Sequence, residues 1–173
     1  MAKDESHVSP RELILKYPYM FRPKSQVSFA RGWIALFAQL CEDIDRILGG
    51  EQLLYWTEVK EKFGSARMRW ELRARAAGRR GKPVILDSPH ADAVYGTSSA
   101  AQLSPIPRAR LREQIASLVR AAEDKTYRMC ICCSQPGERV TSMEYMLVLC
   151  PIHTIDYEAG RPLNIWFRED GDP

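Results

Sequence analysis

Four residues near the C-terminal end constrain this chain more than any others. Cys130-Ile-Cys-Cys133 and Cys150-Pro-Ile-His153 form two ligand pairs in a C-x2-C-x16-C-x2-H pattern. Zinc takes four thiolate or imidazole ligands in a tetrahedron, and two residues between ligands let one tight turn aim both at a single ion. Ser134-Gln-Pro-Gly137 has the turn chemistry of a knuckle, Met143 to Leu149 predict a strand that delivers Cys150, and Pro151 opens a short helix ending near Gly160. Knuckle, hairpin and ligands at a helix start are the order of a treble-clef-like module; a plain zinc ribbon fits the same spacing. Four protein ligands leave no open position for water, so the expected cofactor is a structural Zn2+ on Cys130, Cys133, Cys150 and His153. Two cysteines are left over. Cys41 fits the apolar stripe of a helix, while Cys132 sits inside the first turn and competes as a ligand with Cys130 and Cys133.

A second grouping borrows the first pair. Zinc deaminases combine an H-x-E motif with a later P-C-x-x-C, the glutamate shuttling protons. His90-Ala-Asp92 precedes Cys130 at a suitable distance, but Asp92 stands where the glutamate should be, Met129 stands where the proline should be, and Cys150 and His153 go unexplained. A histidine-rich nuclease would need paired histidines, and His7, His90 and His153 are scattered singly. Glu58 and Glu61 flank an aromatic-glycine turn and are expected to pair with neighbouring Lys or Arg. No residue is assigned catalysis, and a zinc-dependent enzyme acting on nucleic acid, deaminase-like or nuclease-like, stands as the alternative to a binding role.

The remainder predicts an α+β frame. Ser9, Pro10 and Glu12 make a capping box that opens a short helix before Pro18. From Phe29 to Leu48 apolar residues recur at spacings of three and four, ending at Gly49-Gly50, which predicts one long helix. Residues 53–60 alternate with period two, as do residues 66–75 after Phe63-Gly64-Ser65, which predicts a hairpin with one apolar face on the long helix and one face in water. Residues 76–107 hold three Gly, four Pro and four Ser and predict a long loop, followed by a helix from about Pro107 to Lys125. With 45% hydrophobic and 27% charged residues, the chain has the composition of a globular domain that folds without disulfides. The apolar runs are far shorter than a membrane span and MAKDESHVSP lacks a signal peptide's apolar stretch, so the expected location is cytoplasmic and no membrane partner is expected.

Net charge over the whole chain is only +3, yet between Lys60 and Lys82 nine Lys or Arg face two glutamates, a net of +7 in 23 residues. Alternation puts Arg67, Arg69, Arg73 and Arg75 on one strand face, and Arg79 and Arg80 extend it into the loop. Such a face could meet successive phosphates or an acidic protein surface. The plainer reading is a solvated face neutralised by the acidic side of the long helix or by the acidic C-terminal residues. An adaptor or inhibitor would instead use aromatic anchors in the loop, such as Tyr95.

Gly32-Trp33, Leu40-Cys41, Lys60-Glu-Lys-Phe-Gly64, Arg67, Cys130-x-x-Cys133, Pro136-Gly137 and Leu149-Cys150-x-x-His153 together resemble a group of phage and prophage proteins with no assigned reaction. The resemblance covers residues 17–75 and 108–155. Ala66 stands where a leucine is usual and Ser134 where the knuckle glycine is usual. It implies Cys150 and His153 as ligands, and a phage-borne factor acting on a host machine, including a host defence system. The expected architecture is therefore α+β, with the long helix packed on a small antiparallel sheet. Residues 1–127 form the main domain, and residues 128–173 a zinc-ribbon or treble-clef-like module packed on it. The expected function is non-enzymatic docking of the basic hairpin face on nucleic acid or an acidic protein surface.

Overall fold

The computed structural model describes residues 8–23, 25–48, 52–74, 107–141 and 145–167. The fold is α+β, and its chain order begins with helix α1 (Pro10–Lys16), strand β1 (Gln26–Val27), a 3-10 turn (Arg31–Trp33), and helix α2 (Ile34–Leu48). The long strands β2 (Gln52–Lys62) and β3 (Ser65–Ala74) follow, then α3 (Arg108–Thr126), β4 (Glu138–Thr141), β5 (Met146–Leu149) and α4 (Pro151–Glu158). The expected loop at 76–107 lies outside the described residues except for Pro107, the residue before α3.

Helix α1 starts as its residues dictate. Ser9 Oγ accepts from the Glu12 N–H at 3.2 Å, and Glu12 reaches back to the Ser9 N–H at 2.9 Å. The long helix begins later than its periodicity predicts. Ala30 is extended and bridges Trp166, Arg31 N–H donates to the Ile165 carbonyl at 2.8 Å, and only from Ile34 does the backbone turn α-helical. Tertiary pairing outside the helix has overridden local periodicity there.

Strands β2 and β3 pair antiparallel from Gln52↔Ala74 to Lys62↔Ser65, and β1 adds to β2 in parallel through Gln26↔Glu58 and Val27↔Val59. This parallel edge is a departure from the all-antiparallel sheet expected; two residues are too few to show a period in the sequence. Strict alternation in β2 also fails. A bulge between Trp56 and Glu58 leaves Thr57 unpaired, so Leu54 and Trp56 point inward before it and Val59 after it. The same bulge sets Glu58 opposite Arg69 on the outer face.

The inner face of this sheet meets α2, where Phe37 and Trp56 lie ring to ring at 5.0 Å. Helix α3 packs against both α2 and β3. It also closes the β3 edge, which would otherwise present unpaired backbone groups. Ala66 N–H donates to Thr126 Oγ1 at 2.9 Å, Met68 N–H donates to Glu123 Oε1 at 2.7 Å, and Arg108 donates to the Leu72 carbonyl at 2.7 Å. One apolar core runs from Leu13 through α2, the sheet and α3 to Leu149 and Cys150. Cys41 is fully buried in it, and burial pushes its thiol up to about 12, so it packs as an inert core residue. Among the described residues no helix is long and apolar enough to cross a membrane.

Candidate metal centre

The segment after α3 turns through Thr126–Met129 and enters the first ligand pair. Cys130 N–H donates to the Gln135 carbonyl at 2.8 Å and Ser134 N–H to the Cys130 carbonyl at 3.1 Å, closing a tight knuckle around Cys130 and Cys133. Ile131 N–H donates to the Val148 carbonyl at 3.0 Å, which ties this knuckle to β5. The antiparallel β4–β5 pair then delivers Cys150 as the residue immediately before α4, with Pro151 at the first helical position and His153 in the first turn. Knuckle, hairpin and helix-borne ligands therefore occur in the treble-clef-like order.

The four side chains converge. The Cys150 sulfur lies 3.1 Å from His153 Nδ1, the sulfurs of Cys130 and Cys133 each lie 3.5 Å from the same nitrogen, and the Cys133 and Cys150 sulfurs are 3.7 Å apart. All four ligand atoms fall within 4.8 Å of one another, so Cys130, Cys133, Cys150 and His153 could hold a metal ion. Within residues 130–133 the converging atoms belong to Cys130 and Cys133, and the Cys132 sulfur is not among them. Cys132 instead hydrogen-bonds to Cys130. That bond is the largest cause holding the Cys130 thiol well below the usual range, with backbone N–H groups of Cys150, Cys132 and Cys133 assisting. The same bond pushes the Cys132 thiol up, and burial raises Cys133. Crowded thiols oppose one another's ionisation, and a bound cation removes that opposition by deprotonating its ligands outright.

Two contacts seat the knuckle on the 3-10 turn. Gly32 N–H donates to the Ile131 carbonyl at 2.8 Å, and Trp33 Nε1 donates to the Met129 carbonyl at 3.3 Å. A methyl at Gly32 would stand 2.1 Å from the Cys130 carbonyl oxygen, so no larger residue fits. Ser134 supplies the third contact. Its φ of 66° is left-handed, a conformation that favours glycine, and its hydroxyl donates to the Gly32 carbonyl at 2.7 Å. This explains why a serine can stand at a glycine-like position. Replacing Ser134 by Ala keeps the backbone cost and removes the bond, and is expected to destabilise by about 1 kcal/mol, while Ser134→Gly, which relieves the backbone, should lie closer to wild type. Denaturant midpoints of the two variants check this.

The basic face is only partly brought together. Arg67, Arg69 and Arg73 are exposed on the outer face of β3, as expected, but Arg75, Arg79 and Arg80 lie outside the described residues. Among the described residues neutralisation comes from the sheet itself rather than from α2; Glu169, Asp170 and Asp172 lie outside the described residues. Glu58 lies 2.6 Å from Lys60 and 3.4 Å from Arg69, while Glu71 pairs with Arg73 at 2.8 Å. The Lys60 ammonium holds the Glu58 carboxyl below its usual range. Glu61 makes no ion pair among the described residues and accepts the Gly64 N–H at 2.7 Å. Arg67 has no ion-pair partner among the described residues. His7, His90, Asp92 and Tyr95, on which the enzyme and adaptor readings rested, lie outside the described residues.

Comparison of the chain with protein-family models, with curated proteins and with solved structures finds no match.

Proposed function

We propose that this protein is a small cytoplasmic binding factor, of phage origin, whose C-terminal module is organised by a structural zinc ion and whose hairpin docks on an anionic partner. The observation that carries the metal assignment is spacing. Zinc–sulfur bonds of about 2.3 Å and zinc–nitrogen bonds of about 2.0 Å in a tetrahedron separate sulfur from sulfur by about 3.8 Å and sulfur from nitrogen by about 3.5 Å. The Cys133–Cys150 sulfur distance of 3.7 Å and the two sulfur–nitrogen distances of 3.5 Å agree with those edges, the Cys150–His153 distance of 3.1 Å is shorter, and all four atoms lie within 4.8 Å of one another. Thiolate-rich tetrahedral sets suit zinc rather than magnesium or calcium, which take oxygen ligands. A four-ligand tetrahedron has no position for a reacting water, which supports a scaffold over a zinc-dependent enzyme.

The docking face is the outer surface of β2 and β3. Lys60, Arg67, Arg69 and Arg73 lie there against Glu58 and Glu71, so it keeps an excess of positive charge even after its internal pairs are formed. Exposed pairs of this kind hold each other weakly and can exchange a carboxylate for a partner's phosphate or carboxylate. Because Arg73 donates two hydrogen bonds to Glu71, Arg67 and Arg69 are the stronger test. The Arg67→Glu, Arg69→Glu double variant should keep its circular dichroism spectrum and melting midpoint, yet lose tenfold or more in affinity for polyanions, with a shallower salt dependence. Equal retention of variant and wild type on a heparin column at every salt concentration would contradict the docking face.

A further inference from the structure

The tip of the β2–β3 hairpin has a conformation that its residues do not favour. Lys62 pairs with Ser65, leaving Phe63 and Gly64 as the two central residues, and both have positive φ, 54° and 81°. A two-residue turn of this type prefers Asn-Gly or Asp-Gly. Gly64 conforms. Phe63 does not, since a bulky side chain at positive φ is a true outlier. Burial does not compensate for it either, because Phe63 is 67% exposed.

The turn is nevertheless firmly held. Glu61 accepts the Gly64 N–H, Ser65 Oγ donates to the Lys62 carbonyl at 3.1 Å, and Gly64 sits against the Met146 carbonyl and the Val148 side chain of β5. The aromatic ring is thus presented from a fixed mount beside the metal module. Its surroundings are cationic: Lys62 Nζ lies 5.3 Å from the ring centroid, and Lys60, itself paired with Glu58 at 2.6 Å, stands directly opposite Arg67, which has no ion-pair partner among the described residues. Strained, exposed residues held by their surroundings point to a binding role.

Resting on the docking reading above, we infer that the hairpin tip is a base-stacking site for single-stranded nucleic acid. Phe63 receives an unstacked base while Lys60, Lys62 and Arg67 meet the flanking phosphates. A duplex offers the same phosphates but keeps its bases stacked, and an acidic protein surface offers carboxylates with no use for the ring; only a single strand uses both halves of the site.

The test measures binding of a short fluorescein-labelled oligothymidine, of a duplex of equal length and of polyglutamate by fluorescence anisotropy and competition. Wild type is set beside Phe63→Asn, Phe63→Trp and Arg67→Glu. Asparagine is a residue that the turn prefers, so Phe63→Asn is expected to melt at or above the wild-type temperature while losing roughly tenfold in single-strand affinity. Its duplex affinity should be unchanged, and Phe63→Trp should bind the single strand at least as well as wild type. Unchanged single-strand affinity in Phe63→Asn, with Arg67→Glu still weakened, would overturn the stacking site and leave the basic face standing. So would wild-type binding to polyglutamate or duplex alone. Absence of binding to all three polyanions would overturn both.

Discussion

Replacing Cys150 by serine is expected to empty the metal site and unfold the C-terminal module. Cys150 supplies one of three converging sulfurs from the N-cap position of α4, where its side chain makes no cap hydrogen bond and where serine is itself a favoured residue, so the substitution acts by removing a ligand. Apparent zinc-binding energies in small modules run to about 10 to 16 kcal/mol, comparable with the total stability of about 5 to 15 kcal/mol typical of a domain. The knuckle and α4 depend most on the ion, since α4 contains no buried residue and β4 and β5 pair over only four positions, whereas Ile131, Leu147 and Leu149 are anchored in the main core. Metal content per chain, read by elemental mass spectrometry, should fall from about one to a small fraction of that. Amide exchange across residues 130–158 should become fast. Cys132→Ser is the matched control: Cys132 lies outside the ligand set, so that variant should keep its metal. Acid should mimic the ligand variant, because thiolates and imidazole must lose protons to bind and regain them as pH falls.

Gly32→Ala is expected to produce the second large effect, far in sequence from the ligands it disturbs. The added methyl would lie 2.1 Å from the Cys130 carbonyl oxygen and 2.7 Å from the Ile131 carbonyl carbon, both backbone atoms of the knuckle. Neither can rotate away. Either the knuckle shifts, breaking the Gly32 N–H to Ile131 and Ser134 Oγ to Gly32 hydrogen bonds, or the 3-10 turn leaves its place and pulls Trp33 from the core. We expect a loss of about 3 kcal/mol, which at this chain length lowers the melting midpoint by roughly 6 to 12 °C. Weakened metal retention during dialysis against a chelator should accompany it. Thermal denaturation at matched metal concentration checks the first expectation. A midpoint within a degree of wild type would show that the knuckle is not seated on this turn.

The ligand set was legible because metal chemistry demands residue types at fixed spacing, and two pairs of such residues survive any uncertainty about strands between them. Helices α1, α2 and α3 were legible from capping residues and from three-and-four spacing, since both are local. What escaped was set by distant partners. Ala30 and Arg31 are drawn out of the helical pattern by Ile165 and Trp166, more than 130 positions away. The bulge at Thr57 reverses the in-and-out order of β2, and no turn residue marks it in Tyr55-Trp-Thr-Glu58. Glu123 and Thr126 look like ordinary polar helix positions, yet they cap the edge of β3. Ser134 was visible as a departure from glycine, but the reason for it, the Gly32 carbonyl, is 102 residues distant. The sequence signal for Phe63 was there as well, as an aromatic residue where a tight hairpin turn calls for Asn or Asp; its exposure and positive φ needed the fold.

If Cys130, Cys133, Cys150 and His153 hold one zinc ion, three sulfurs and one imidazole nitrogen close around it and leave it no open position. X-ray absorption at the zinc edge of the purified protein counts those neighbours directly. Three sulfur scatterers at about 2.3 Å and one nitrogen at about 2.0 Å, a four-coordinate shell, are expected. Loss of the nitrogen in His153→Ala should be accompanied by either a replacement oxygen or loss of the metal. A shell of two sulfurs with two light scatterers in the wild-type protein would contradict this assignment, because it would place zinc on Cys130 and Cys133 with a different histidine and a water, as a hydrolytic or deaminating enzyme requires.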